Sequence, residues 1–411
     1  MCKTIKTIII TAYCVIFLHS LKYLIFDTKE KIIELNYLVR TSANFRKILK
    51  DIKKNRKNTT ILTLDYERPR RFSSDLKFIL KWNNAYIHRR SVITNGQKSF
   101  LYQNCTYYNC YLTNDKSLLV DLRCFDAIVF DVDCDWDEHP PLRTPYQIYI
   151  FSASESASNY PVCNSNYDNY YNISWTYKLD SDITKPLITI LDKNENIIGP
   201  KANMTWIYPM LPTSETVKKK IMYKKKAAAW FISNCHSENS KARQILAEKL
   251  SKLLTKVNLT LDIYGWCGNM VCPRDRIEEC LSLLRKEYFF YFAFEYSLSE
   301  DYVTSEILYP LLHYAVPIVY GGANYSRFLP PGSYIDARKL SPNEVVSLMV
   351  EAIKNPDIYK DYFKWHNHYT YKETPQDDIC NLCQILNEPT HNRSVVSNFR
   401  KWWNPNYEEH C

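Results

Sequence analysis

Residues 289–336 constrain the fold more than any other stretch of the chain. They begin with the apolar, aromatic run Phe289-Phe290-Tyr291-Phe292-Ala293-Phe294, too short to span a membrane and ended by the charged Glu295. Such a run predicts a strand buried on both faces. A helical segment is predicted from about residue 302 to residue 314. Ala315-Val316-Pro317-Ile318-Val319-Tyr320 then predicts a second buried strand, ended by Gly321-Gly322, whose missing Cβ atoms let the chain turn sharply. Strand, helix, strand defines a parallel crossover. Ligands of such units lie beyond the carboxyl ends of the strands, so residues 295–305 and 321–325 are expected to face a bound molecule.

The same pattern precedes this unit. Ala227-Ala228-Ala229-Trp230-Phe231-Ile232-Ser233 predicts a strand, and residues 241–255 a helix with Ala242, Ile245, Leu246, Leu250, Leu253 and Leu254 at its apolar positions. Leu259-Thr260-Leu261-Asp262-Ile263-Tyr264 predicts the next strand, closed by Gly265. Two successive crossovers make a nucleotide-binding half-fold, here residues 227–358. From 59 to 192 a further α/β domain is predicted, with strands at Ile61-Leu62-Thr63-Leu64, Phe78-Ile79-Leu80, Ala127-Ile128-Val129-Phe130 and Ile148-Tyr149-Ile150-Phe151. Residues 159–171, rich in Tyr, Asn and Ser, predict a surface loop whose aromatic rings are either simply solvated or stacked on sugars. Residues 193–226 read as a linker and 359–411 as a C-terminal tail.

The N-terminus reads as a short cytoplasmic tail, residues 1–6, followed by an apolar signal-anchor at 7–26 and a stem at 27–58. A cleaved signal peptide is the alternative. Of fourteen cysteines, twelve lie beyond the anchor, an even number that suits a disulfide-forming lumen. The C-x-x-C at Cys380 and Cys383 stands alone, so disulfides are expected rather than zinc, with connectivity left open. N-x-Ser/Thr sequons begin at Asn58, Asn104, Asn172, Asn203, Asn258, Asn324 and Asn392. The formal net charge of +9 concentrates in two lysine-rich or arginine-rich clusters, 46–57 and 218–226. That distribution excludes a general nucleic-acid surface and leaves two readings for each cluster, a solvated face or a basic cleft for a phosphate-bearing ligand.

Several motifs occur in a fixed order: Ser233-Asn234-Cys235 with Arg243, Asp262-Ile263-Tyr264-Gly265, Phe292-Ala293-Phe294-Glu295, Asp301-Tyr302-Val303-Thr304, Val316-Pro317-Ile318-Val319-Tyr320-Gly321-Gly322, and Asn324-Tyr325-Ser326-Arg327-Phe328-Leu329-Pro330-Pro331. Asn172, Tyr177 and Asp180-Ser181-Asp182-Ile183 precede them. This series resembles the α1,3-fucosyltransferase family over about residues 75–385, with a cysteine pattern similar to invertebrate members. The resemblance implies a GT-B-like architecture: two Rossmann-like domains with a cleft between them. It also implies GDP-fucose as donor, no tightly bound cofactor or metal, and inverting transfer to a GlcNAc hydroxyl of a glycoprotein glycan at the Golgi membrane.

By the same resemblance, Glu155 in Ser154-Glu155-Ser156 matches the acid of the acceptor-side domain and is the expected base. Arg243 matches the arginine that pairs with donor phosphate, and Asn234, Glu295, Tyr302, Ser305 and Glu306 fall at donor-side positions. Two departures stand out. Where the family has Phe-Glu-Asn this chain has Phe294-Glu295-Tyr296, and where it has Thr-Glu-Lys this chain has Thr304-Ser305-Glu306. No Lys or Arg occurs between Tyr302 and Arg327, and an acid beside a diphosphate repels it. The alternative reading is therefore a catalytically weakened relative that binds a glycan or a protein partner. Asp131-Val132-Asp133 and Asp180-Ser181-Asp182 have the spacing of an Asp-x-Asp metal motif, a pattern too short to imply a metal here.

Overall fold

The computed structural model describes residues 76–82, 95–119, 121–132, 139–235, 241–268, 270–375, 379–388 and 395–411. The expected anchor, the stem, the strand at 61–64, and the sequons Asn58 and Asn392 lie outside the described residues. Among the described residues, no helix is long and apolar enough to cross a membrane.

Six strands form a parallel sheet: β1 (Lys77–Lys81), β2 (Cys110–Thr113), β3 (Ala127–Asp131), β4 (Ile148–Ala153), β5 (Ile173–Thr176) and β6 (Ile183–Thr184), ordered β2-β1-β3-β4-β5-β6. The chain continues through β7 (Ile188–Leu191) and β8 (Ile197–Gly199) into a second parallel sheet. That sheet comprises β9 (Lys226–Phe231), β10 (Leu261–Tyr264), β11 (Tyr288–Phe294), β12 (Val316–Tyr320) and β13 (Ile335–Asp336), ordered β10-β9-β11-β12-β13. β14 (Thr370–Glu373) returns antiparallel to β7, which is antiparallel to β8. In both large sheets the strand order reverses beside the first strand, between β1 and β3 and between β9 and β11. Such switch points open a crevice at the carboxyl ends of the strands.

β11 is apolar along its length because β9 and β12 pair with its two edges and side chains cover both faces. Phe290, Phe292 and Phe294 enter one core with Ala228, Trp230, Val316 and Ile318. Tyr291 and Ala293 enter the opposite core, which also takes Ile188 and Ile190 of β7 and Tyr371 of β14. The small third sheet therefore closes one face of the second domain. The helix predicted over 302–314 is shorter, a 3-10 turn at Ser305–Ile307 running into Leu308–Leu312. It starts late because Thr304 is extended and caps the turn through its hydroxyl, and it stops where Tyr314 takes a left-handed φ of 55°.

Two predicted connectors do more than connect. The linker carries β8 and a helix at Glu215–Ile221 capped by Ser214. Residues 359–411 return to the first domain. The helix Cys380–Asn387 lays Leu382, Cys383 and Ile385 on one face of the first sheet, and Phe399–Trp403 lays Phe399 and Trp403 on the other. Cys105–Cys380, Cys110–Cys383 and Cys163–Cys411 bond these segments in place across 275, 273 and 248 residues of sequence. Cys235–Cys267 and Cys272–Cys280 are local to the second domain. The tyrosine-rich segment expected as a surface loop is exposed at residues 160, 163–166 and 169 but anchored by three buried residues, Val162, Tyr167 and Tyr171, with Tyr171 packed on Phe399 at 4.7 Å between ring centroids. The rings of Tyr167 and Tyr171 meet apolar neighbours rather than solvent.

The C-terminal return should be indispensable. Trp403 is 1 % exposed, packs edge-on against Phe151, and donates its Nε1 hydrogen to the Tyr160 carbonyl at 2.9 Å. Trp403→Ala is expected to lower folding stability by about 3–5 kcal/mol in chemical denaturation of the full chain. A change within about 0.5 kcal/mol, as at ordinary surface positions, would contradict this packing.

Candidate active site

Arg243 sits in the first turn of the helix Lys241–Lys256 and is 8 % exposed. Its Nη1 donates to the Phe294 carbonyl and its Nη2 to the Asn234 carbonyl, both at 3.0 Å. The side chain thus bridges the segment after β9 and the end of β11, across the switch point. Among the described residues its Nε has no hydrogen-bond partner. The rings of Trp230 and Tyr296 lie 5.9 and 5.7 Å from the guanidinium carbon. Burial pulls the Arg243 pKa below the usual arginine value, while Glu306 and Glu295 act in the opposite direction. A buried cation held by neutral carbonyls retains charge for an arriving anion.

Glu295 is buried, with both carboxylate oxygens turned to Thr304. One carboxylate oxygen accepts from the Thr304 amide at 2.9 Å and the other from the Thr304 hydroxyl at 2.8 Å. The acid thereby fixes the turn that displays Ser305 and Glu306. Burial pushes its pKa up to about 8. Glu306 accepts from the Tyr291 hydroxyl at 3.0 Å, and burial pushes its pKa up to about 7. Gly321 and Gly322 allow the neighbouring loop to close on this arrangement. A Cβ at Gly322 would stand 1.9 Å from the Leu298 carbonyl oxygen, and one at Gly321 would stand 2.4 Å from the Tyr325 hydroxyl. The two loops expected to face a ligand are therefore packed against each other.

Glu155 lies half-buried on the loop after β4, in the other domain. Two residues on, the Ala157 amide donates to the Tyr177 hydroxyl at 3.0 Å, and the Tyr177 ring packs edge-on against Tyr302 at 5.0 Å. The Ser158 amide donates to the Ser299 hydroxyl at 2.9 Å, crossing between the domains. Tyr302 is 6 % exposed, and its pKa is raised first by burial and then by the nearby charges of Glu155 and Glu295. The structure brings Glu155, Tyr302, Glu295, Ser305, Glu306 and Arg243 to one interdomain region. Asn234 is exposed at its edge and contributes its carbonyl.

Other expected features fall outside this cluster. Asp182 accepts from the amide and hydroxyl of Ser174, and Asp180 accepts from Trp402 Nε1, so each of these acids has a structural partner. Asp133 lies outside the described residues. Among the described residues, no three His, Cys, Asp or Glu side chains are grouped to hold a metal. Asn104, Asn203, Asn258 and Asn324 are exposed. Asn172 Oδ1 accepts from the Tyr149 amide at 2.8 Å and from Arg143, and so joins β4 to β5. Sequence reasoning missed Lys178, Ser158 and Ser299, which carry no local motif. It also missed Arg338, whose Nη1 donates to the Gly321 carbonyl at 2.9 Å.

With this geometry in place, comparison with known proteins gives a consistent result. A "Fucosyltransferase, N-terminal" family model matches residues 74–187, and "Glycosyltransferase family 10 (fucosyltransferase) C-term" matches residues 221–402. Alpha-(1,3)-fucosyltransferase C of Drosophila melanogaster is 33% identical over 308 residues, spanning 73% of this chain and 70% of that protein. Alpha-(1,3)-fucosyltransferase fut-1 of Caenorhabditis elegans is 25% identical over 345 residues, spanning 81% of this chain and 70% of that protein. A solved alpha1,3-fucosyltransferase with GDP-fucose aligns over 83% of this chain and 96% of its own, at 14% identity and a TM-score of 0.45. The chain belongs to glycosyltransferase family 10, the fucosyltransferases.

The buried acids predict a pH dependence. Both have folded pKa values above the ordinary 4.5, so the folded chain binds their protons more tightly than the unfolded chain does. Their contribution is complete at acid pH and declines as pH rises toward about 7 for Glu306 and about 8 for Glu295. Glu295→Gln keeps an acceptor for the Thr304 amide and a donor for its hydroxyl but removes the titration. Its thermal midpoint is expected to fall less than that of the wild type between pH 4.5 and about 8. Equal slopes in the two proteins would contradict the buried, protonated acid.

Proposed function

We propose that this protein is an inverting α1,3-fucosyltransferase that moves fucose from GDP-fucose to a GlcNAc hydroxyl of a glycoprotein glycan. The observation that carries the proposal is Arg243, a buried cation astride the β9/β11 switch point with Glu155 on the facing loop. Among the described residues this guanidinium is bonded to no anion, and the diphosphate of the donor supplies one. Glu155 takes the proton of the acceptor hydroxyl as the new C1–O bond forms, the old C1–O bond breaks, and GDP leaves with the bonding electrons. Attack from the face opposite the leaving group inverts the anomeric centre. Glu295 acts through the Thr304 cap and shapes the loop. Glu306 stands where the family has a lysine. Burial raises its pKa to about 7 against the opposing pull of the Tyr291 hydroxyl, and so supports a largely neutral carboxyl at mildly acidic pH, where its repulsion of a diphosphate is weakest.

The same reading places the chain in the Golgi as a single-pass type II protein, anchored by residues 7–26 with the two-domain, GT-B-like part in the lumen. Five disulfides among the described residues support an oxidising compartment. Asn104, Asn203 and Asn258 are the sequons we assign as glycan acceptors, because their side chains stand in solvent. Asn324 is exposed too, but its Oδ1 accepts from the amide and hydroxyl of its own Ser326.

The test is GDP-fucose transfer to N-glycan core and LacNAc-type acceptors by the wild type and by Glu155→Gln. The wild type is expected to transfer. The variant should lose roughly 10²–10⁴-fold in kcat, the range of general acid–base catalysis, with GDP affinity unchanged. A variant that loses GDP binding in step with turnover would show that Glu155 supports the fold rather than the chemistry.

A further inference from the structure

Three consecutive residues of the second domain meet three consecutive residues of the first. The Glu300 carboxylate lies 3.2 Å from Lys178 Nζ. Asp301 Oδ2 accepts from the Leu179 amide at 3.1 Å. The Tyr302 ring packs on Tyr177, whose hydroxyl accepts from the Ala157 amide two residues beyond Glu155. A further element enters from the turn after β12, where Arg327 Nη1 donates to Asp301 Oδ1 at 2.9 Å and lies 4.0 Å from Glu300. Lys178 Nζ also donates to the Trp402 carbonyl at 2.7 Å, which ties in the C-terminal return.

Asp301 is the centre of this set. Its side chain is 2 % exposed, and its backbone takes a left-handed φ of 56°. A non-glycine residue keeps that conformation only where its surroundings over-determine it. Both carboxylate oxygens are committed, one to each domain. The Arg327 guanidinium is thereby directed at two acids of the donor loop.

We infer that Asp301 and Arg327 are positioning residues that latch the donor loop to the loop after β5, whose Tyr177 in turn holds the loop carrying Glu155, and so set the distance between donor and base. The inference rests on the proposed fucosyl transfer and goes beyond it by naming what aligns the two domains. Misplacement of reacting groups by about 1 Å lowers rates on the order of a hundredfold. The latch therefore acts on turnover more than on donor binding, since Arg243 lies outside it.

The test uses the full chain as wild type, Arg327→Gln, Asp301→Asn, the double variant, and Arg327→Lys. Each single variant is expected to lower kcat by roughly a hundredfold with GDP affinity little changed. The double variant should be no worse than the poorer single, since the two groups act as one unit. Arg327→Lys should recover part of the loss. Amide hydrogen exchange in residues 154–159 should accelerate in the Gln and Asn variants, a readout that needs no turnover. Unchanged kcat and unchanged exchange would overturn the inference. So would parallel losses of kcat, GDP affinity and thermal midpoint, which mark a merely structural pair. A wild type that transfers nothing would overturn the functional reading instead, and the exchange data would then decide the latch alone.

Discussion

The Arg243 guanidinium, held between the Asn234 and Phe294 carbonyls, is the interaction on which the site depends. Removing a charge from water is unfavourable unless its hydrogens find partners, and here two backbone carbonyls from different strand ends provide them. This fixes the helix Lys241–Lys256 against the ends of β9 and β11. It also leaves a cation whose bonded partners among the described residues are neutral carbonyls. Glu295 and Glu306 lie near enough to influence it, yet their own burial favours the protonated forms around neutral pH. The site balances one buried charge against two acids that burial holds back from ionising.

The second constraint lies between the domains. Ser158 with Ser299, Tyr177 with Tyr302, and Leu179 with Asp301 join loops that belong to different sheets. Because two of these contacts are directional hydrogen bonds, they define an angle between the domains, which apolar packing alone does less sharply. The C-terminal return strengthens the same boundary, since Trp402 receives Lys178 and Trp403 packs on Tyr177. Three disulfides hold that return on the first domain while its neighbours hold the second.

The second domain was the more legible in the sequence. The run from Phe289 to Phe294 is apolar at every position because β11 is central, and its meaning survives without tertiary information. Gly321-Gly322 likewise announced a turn, though the reason for both glycines, the Leu298 carbonyl and the Tyr325 hydroxyl at their Cβ positions, appears only in three dimensions. The resemblance to fucosyltransferases, carried by motifs around Arg243, Tyr302 and Gly321, agrees with the family match. What stayed hidden depends on distant partners. Residues 159–171 look polar and tyrosine-rich, and only Phe399 and Trp403 from the far end of the chain give Val162, Tyr167 and Tyr171 a core to enter. Three of the cysteine pairings cross more than half the sequence, and spacing holds no information about them. Lys178 gives no local signal, because its partners are a carboxylate and a carbonyl from two other segments.

The central claim is that a diphosphate binds at Arg243 on the β9/β11 switch point with Glu155 facing it. The structure of the GDP complex tests this most directly. The account predicts phosphate oxygens roughly 2.7–2.9 Å from the Arg243 guanidinium, at the carboxyl ends of β9 and β11. GDP bound elsewhere, with Arg243 still touching only the Asn234 and Phe294 carbonyls, would contradict it.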